Sequence, residues 1–388
     1  MSLLGEPLLV LLVVLALAMP AAVLFGWSRV RGPKVVRATG RVALVLIAQA
    51  TAVALGLVAL NDYGEFFTSW SELLGTAPQP YVVTQQHFGA DRVVGRHPLH
   101  ARTPSISGIA NTGSGALPPG ATATSWSQRS KWSSMGALVS LPVTGSTTGL
   151  SEKALVYLPP AYFAGVRAMP VVEVLAGYPG AAIALANRLR YPSALLTAMH
   201  AGVEPMVLVL LRSAVVYPRD TECTDVPHGP QVFSYFAHDV PDAVASAFGL
   251  HPTSYGTIGE STGAMCAVKI AVLDPQRFVA GASLSGYFHA VQDFTTGDLY
   301  GGSTRIRELN DITWRLQHLP PPRISVLVAT AVTEKGADGY RSAQRFLALV
   351  RAPMSADEIV LSHGGHNFGT WKLEVPSALR WLGRHLPA

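Results

Sequence analysis

The sequence predicts an α/β fold: a mainly parallel sheet with helices on both faces, preceded by two transmembrane helices. Three observations predict it. From about residue 135, short β-branched runs alternate with helical patterns, and such alternation builds parallel sheets. Ahead of them lie two uncharged apolar runs, Pro7–Trp27 and Val42–Leu60. And 49% of the 388 residues are apolar but only 14% charged, where a soluble globular chain carries about a quarter charged.

Each apolar run is long enough for a helix, at about 1.5 Å per residue, to cross a hydrocarbon core of ~30 Å. Pro20 predicts a kink in the first. A cleaved signal peptide is the rival reading, since Ala16-Leu17-Ala18 and Ala21-Ala22 offer small residues near a cut. Against it, Met1–Pro7 has no Lys or Arg to form a positive n-region. The cations Arg29, Arg31, Lys34, Arg37 and Arg41 sit between the runs instead, so that loop is expected to stay cytoplasmic. Both termini then face outward, giving a multi-pass hairpin with an extracytoplasmic bulk.

Those five cations also account for most of the net charge of +5. Beyond Leu60 the chain holds 24 bases against 23 acids, which leaves no extended basic face for a polyanion. No nucleic-acid partner is expected.

Residues 1–75 therefore read as the membrane hairpin. Within them Asn61–Leu74, with Phe66, Phe67 and Trp70, is either an interfacial stretch or a continuation of the second helix. Residues 76–134, rich in Pro, Gly, Ser and Thr, read as an exposed linker, partly ordered against the domain after it. Residues 135–388 form that α/β domain. Its expected strands are Ala137–Val143, Ala154–Leu158, Val171–Leu175, Met206–Leu211, Tyr255–Ile258, Val279–Leu284, Ile324–Ala329 and Glu358–Ser362. Its expected helices are Thr262–Leu273, Ser303–Gln317, Ser342–Val350 and Trp371–His385. Ligands of such sheets bind at the carboxyl ends of the strands.

Gly259-Glu260-Ser261-Thr262-Gly263 fits G-x-S-x-G between an expected strand and an expected helix. A tight bend there holds the Ser261 hydroxyl clear of the sheet, beside the unpaired N–H groups of a helix amino terminus. A hydroxyl is a weak nucleophile until a base takes its proton. Downstream, His363 and His366 are the candidates, and His366, beyond two glycines, is favoured because its loop can swing an imidazole over the sheet edge. The base needs a carboxylate to fix its tautomer. Glu334 and Asp338 both follow a strand, and Glu334 is chosen as the closer. The two oxyanion N–H groups are expected from Thr262 and, in the Gly177-Tyr178-Pro179-Gly180 loop, from Tyr178.

Cys223 and Cys266, the two cysteines, are a candidate disulfide outside the membrane. The acid-rich loop Arg219–Asp225 invites a metal reading, but His228 stands without a partner at ligand spacing, so a lid or substrate-facing loop is expected. Asp239 is read as a helix cap or dipole partner rather than a catalytic acid.

Val156–Tyr162, the Gly177-Tyr178 loop, Gly259–Gly263, Ser283–Phe288 and Gly365-His366 with Trp371 together resemble the esterase-D-like serine esterases, which include the secreted mycolyltransferases. The resemblance covers residues 135–388 and implies an α/β-hydrolase fold and acyl-ester chemistry with no cofactor or metal. It carries the nucleophile onto Ser261, the histidine onto His366 and the acid onto the neighbourhood of Glu334. Glu260 departs from the secreted transferases, which carry a neutral residue before the nucleophile. The expected function is a membrane-anchored serine esterase acting on acyl esters, lipids or glycolipids among them. The alternatives are an acyltransferase delivering the acyl chain to a sugar hydroxyl, and a non-catalytic envelope binding protein.

Overall fold

The two apolar runs are helices longer than the runs themselves. In the computed structural model, α1 spans Glu6–Arg29 and α2 spans Lys34–Gly64, α2 taking in the charged residues Lys34, Arg37, Arg41 and Asp62 that flank its run. Lys34, Arg37 and Arg41 thus lie in the first turns of α2 rather than in a long loop. Arg41 crosses back to α1, donating to Trp27 O at 3.2 Å with its guanidinium 4.9 Å from the Trp27 ring. Pro20 lies inside α1 without ending it. Both helices are long and apolar enough to cross a membrane, and their most apolar windows are 0% and 6% buried. They are not the core helices of a globular domain.

The structure describes residues 3, 6–64, 66, 67, 69–76, 82–89, 132–336 and 339–387. Contacts divide the chain into two units: residues 1–80 with 364–367, and residues 81–363 with 368–388. In the first, α2 runs on through Asn61, whose side chain pairs with both backbone groups of Phe67 (3.1 and 2.9 Å), and a separate turn of helix, Trp70–Leu73, comes after it. Asn61–Leu74 is thus a continuation of the second helix as far as Gly64, with a separate short helix near its end. Asn367 belongs to this unit, its amide donating to Phe66 O and, at 3.0 Å, to Glu72 Oε1.

The second unit is one nine-stranded sheet in the order β1-β9-β8-β7-β6-β4-β5-β3-β2. The strands are β1 (Val82–Gly89), β2 (Ala137–Thr144), β3 (Ser151–Leu158), β4 (Val171–Ala176), β5 (Val207–Arg212), β6 (Tyr255–Glu260), β7 (Phe278–Leu284), β8 (Ser325–Ala331) and β9 (Ser355–Leu361). β4 to β9 run parallel, while β2, β3 and β1 are antiparallel to their neighbours. Parallel strands are covered on both faces, so they read as continuous apolar runs: all six residues of β4 are buried. One face packs on α4 (Val240–Phe248), α5 (Thr262–Leu273) and α6 (Tyr340–Leu347); the other packs on α3 (Tyr191–His200) and α7 (Phe368–His385).

Two expectations change in detail. Part of the linker, Val82–Gly89, is the edge strand β1, held to β9 along its length and by His87 Nδ1 to Asp357 Oδ1 at 2.7 Å; residues 90–131 lie outside the described residues. Asp239 stands at the N-cap position of α4, but its side chain does not cap that helix. Its carboxylate accepts the Thr147 and Thr148 N–H groups (3.0 and 3.1 Å) and the Thr148 hydroxyl (2.6 Å), fixing the turn between β2 and β3. Those N–H groups have no strand partner, which is why the acid is drawn to them.

Candidate active site

Ser261 occupies the single residue between β6 and α5, with φ 58° and ψ −127°. A non-glycine residue in that region stores roughly 1–3 kcal/mol, released only if the surroundings let go. They do not. The Ser261 N–H donates to Leu284 O on β7 at 3.1 Å, and its carbonyl accepts the Ala264 and Met265 N–H groups at 2.9 and 3.1 Å. The following glycine makes the bend possible: a Cβ on Gly263 would lie 2.0 Å from Leu175 O, so α5 packs onto the end of β4 with no room for a side chain. The first N–H groups of α5, those of Thr262 and Gly263, lack intrahelical acceptors and lie at the positive end of the helix dipole.

Gly177 faces this bend from the end of β4. A Cβ there would lie 2.9 Å from Ser261 Cβ and 3.5 Å from its Oγ. The loop is tight, Gly180 N–H donating to Gly177 O at 2.6 Å, and Tyr178 is anchored by its phenol, which donates to Pro218 O at 2.7 Å. Ser261, Thr262 and the Gly177–Gly180 loop are therefore one cluster.

Glu334 lies beyond the end of β8 and is 4% exposed. Its Oε1 accepts the Ser285 hydroxyl at 2.6 Å; its Oε2 accepts the Thr330 hydroxyl at 2.6 Å and the Ala331 N–H at 3.0 Å. These donors fix this carboxylate. Asp338 lies outside the described residues. His366 sits in the loop between β9 and α7, and burial lowers its pKa from 6.5 to about 4, so the imidazole is the neutral, base form through the neutral range. His363, at the end of β9, has Nδ1 3.0 Å from the Ser362 hydroxyl.

The Arg219–Asp225 loop is structured and largely buried. Asp220, Thr221, Glu222, Cys223 and Thr224 are all buried, and a disulfide joins Cys223 to Cys266 on α5, with Cα atoms 5.5 Å apart. Tyr287 donates to the Glu222 carboxylate, Thr262 Oγ1 lies 3.4 Å from Asp220 Oδ2, and Lys269 donates to Glu222 O at 2.9 Å and Thr224 Oγ1 at 2.8 Å. Burial pushes Glu222 well above the usual carboxylate range and Lys269 down to about 7. Asp225 accepts the Ser234 N–H and hydroxyl at 2.9 and 2.6 Å. Sequence reasoning missed Ser285 and Thr330 as the supports of Glu334. The signal for them was weak: hydroxyl residues at the carboxyl ends of two central strands.

A doubly covered parallel sheet with a serine on its strand-to-helix bend defines the α/β-hydrolase class. The chain belongs to the Esterase family, described as "Putative esterase", which it matches over residues 145–382; it is an enzyme of the hydrolase or acyltransferase kind. No curated protein sequence matches it significantly. It is similar in structure to an S-formylglutathione hydrolase from Agrobacterium tumefaciens (16% identity, TM-score 0.53, covering 66% of this chain and 97% of that one). It is also similar to a ferulic acid esterase (14%, 0.54, 66% and 100%). A third likeness is to the substrate-bound fluorophosphonate-binding serine hydrolase FphF of Staphylococcus aureus (17%, 0.50, 64% and 98%). At such identities the likeness establishes the fold.

Proposed function

We propose that this protein is a membrane-anchored serine esterase whose catalytic domain faces the extracytoplasmic side and cleaves carboxylic acyl esters, lipidic ones included. Ser261 Oγ attacks the ester carbonyl while His366 takes its proton. Glu334 fixes the imidazole and offsets its charge, and the Thr262 and Tyr178 N–H groups receive the oxyanion. Collapse of the tetrahedral intermediate breaks the acyl C–O bond, with His366 returning the proton to the leaving alcohol. Water, deprotonated by His366, then releases the acid and restores Ser261.

The observation that carries this reading is the strained Ser261 bend with the Gly177 loop packed against its Cβ. Strain kept at one residue that contributes nothing to the core is explained by a reactive hydroxyl. The two exposed apolar helices and the five cations Arg29, Arg31, Lys34, Arg37 and Arg41, which separate their uncharged runs, support the anchor and its orientation.

The test is labelling by a fluorophosphonate probe. Wild-type protein is expected to label, while Ser261→Ala does not and His366→Ala labels several orders of magnitude more slowly. Undiminished labelling of Ser261→Ala would refute the site. Protease added to intact spheroplasts is expected to cut within residues 76–134, and protection there would overturn the orientation.

A further inference from the structure

One cation at the carboxyl edge of the sheet is left without an acid partner among the described residues. Arg212 is the last residue of β5, and its Cα is in register with that of Ala176, the residue before the Gly177–Gly180 loop. Its guanidinium lies over the Tyr217 ring, 5.0 Å from the centroid, and the Tyr217 ring lies 6.4 Å from that of Tyr178. A ring beneath the guanidinium engages its face and leaves the five N–H donors in its plane to be satisfied elsewhere. Among the described residues none of its nitrogens has a hydrogen-bond partner. Nε is buried, whereas the two terminal nitrogens reach the surface. Tyr217 is itself 55% exposed, so the group stands where a ligand can meet it.

We propose, resting on the esterase reading above, that Arg212 binds the acyl part of the substrate through a carboxylate, so that the esters cleaved here are half esters of short dicarboxylic acids. The strand order decides which part of the ester meets it. β9, after which His366 comes in the chain, and β5 stand on opposite sides of β6, which ends at Ser261. In the proposed reaction His366 returns a proton to the leaving alcohol, which places the alcohol on the β9 side and the acyl group toward β4 and β5. Neighbouring strands lie about 4.8 Å apart, so the ends of β5 and β6 are separated by roughly 10 Å. An arginine side chain and a short acyl chain together close that gap. The chemistry of the group fits the ligand as well. The two terminal nitrogens present parallel N–H donors that match the two oxygens of a carboxylate, and Lys could not reproduce that fork. Burial of Nε strips the cation of part of its hydration, which strengthens its pull on an anion.

The experiment compares two p-nitrophenyl esters of equal chain length at pH 7, the hexanoate and the mono-ester of adipic acid, on the full-length protein in a neutral detergent. The quantity read is the ratio of their kcat/KM values, adipate over hexanoate. Wild type is expected to favour the adipate by at least about tenfold, the scale of one hydrogen-bonded pair with charged partners. Arg212→Leu is expected to lose that preference, and Arg212→Lys, which keeps the charge without the fork, to retain part of it. p-Nitrophenyl methyl adipate, of similar length but uncharged, should be treated by wild type like the hexanoate. Both esters are read on one sample, so misfolding lowers the two rates by the same factor and leaves the ratio alone. The inference is overturned if wild type does not favour the adipate, if the preference survives in Arg212→Leu, or if the methyl adipate is favoured as strongly as the free acid. Should Ser261→Ala still label with fluorophosphonate, the esterase reading itself fails. Should labelling depend on Ser261 while the ratio ignores Arg212, this inference alone fails.

Discussion

Breaking the Cys223–Cys266 bond is expected to cost stability and turnover together, and the cost can be worked from the chain. The two residues are 43 apart in sequence. The chain-entropy relation for a loop of that length gives about 4 kcal/mol at 25 °C. For a domain of this size each kcal/mol moves Tm by roughly 2–4 °C, so Cys223→Ala/Cys266→Ala is expected to melt roughly 8–16 °C below wild type. The assay is calorimetry in detergent, with and without reductant. Reductant should lower the wild-type Tm toward that of the double variant and leave the variant unmoved. Turnover should fall too, because the bond ties the loop bearing Asp220 and Glu222 to the helix that opens at Thr262. A double variant melting within about 2 °C of wild type, or two thiols alkylated in denatured but unreduced protein, would refute the reasoning.

Three further outcomes are expected. Gly263→Ala places a methyl 2.0 Å from Leu175 O; backbone must move, so the loss should exceed the ~1–3 kcal/mol of ordinary overpacking, and an unchanged urea midpoint would show that α5 is not seated as described. Glu173 lies in β4 with neither carboxylate oxygen partnered, and burial, only partly opposed by Arg277, holds its pKa well above 4.5. The folded state keeps a proton that the unfolded state releases above about pH 4.5, so stability falls as pH rises; Glu173→Gln should gain more over wild type at pH 8 than at pH 5, and equal gains would contradict this. The acid limb of kcat/KM should lie well below 6.5, toward about 4, because burial keeps His366 neutral; a limb near 6.5 would mean that another group is titrating.

The elements that the sequence shows clearly are those whose signal is local. The parallel strands announce themselves as β-branched runs because each is buried on both faces, and the Ser261 bend because its glycines stand within two residues of the serine, although Leu175 O on β4 closes the space around them. β1 is different. Val82–Gly89 includes Gln85, Gln86 and His87, and it is a strand only because β9, some 270 residues later, presents an open edge. No local period encodes that pairing. The burial of the Arg219–Asp225 loop is illegible for a related reason: a run of acids carries no local sign of it, yet here Tyr287, Lys269 and the disulfide, all from later in the chain, accompany it into the interior. Asp239 likewise answers to the Thr147 and Thr148 N–H groups of a distant turn rather than to its own helix.

The same non-local ties explain how a strained serine is kept in place. α5 has no polar face; every residue from Thr262 to Val272 is buried, Lys269 among them. Such a helix cannot tilt to relieve Ser261 without exposing its whole surface, and exposure costs about 25 cal/mol for each Å² of apolar area. Against that, roughly 1–3 kcal/mol of backbone strain is small. Lys269 and Cys266 add a hydrogen-bonded and a covalent tether to the Arg219–Asp225 segment, and Pro218, directly before that segment, accepts the Tyr178 phenol. The nucleophile bend and the proposed oxyanion loop are thus held to each other by two routes: directly across Gly177, and around through the disulfide loop. Loosening either should degrade the hole before it unfolds the domain. Of two equally destabilising substitutions, the one along these routes should therefore cost more turnover.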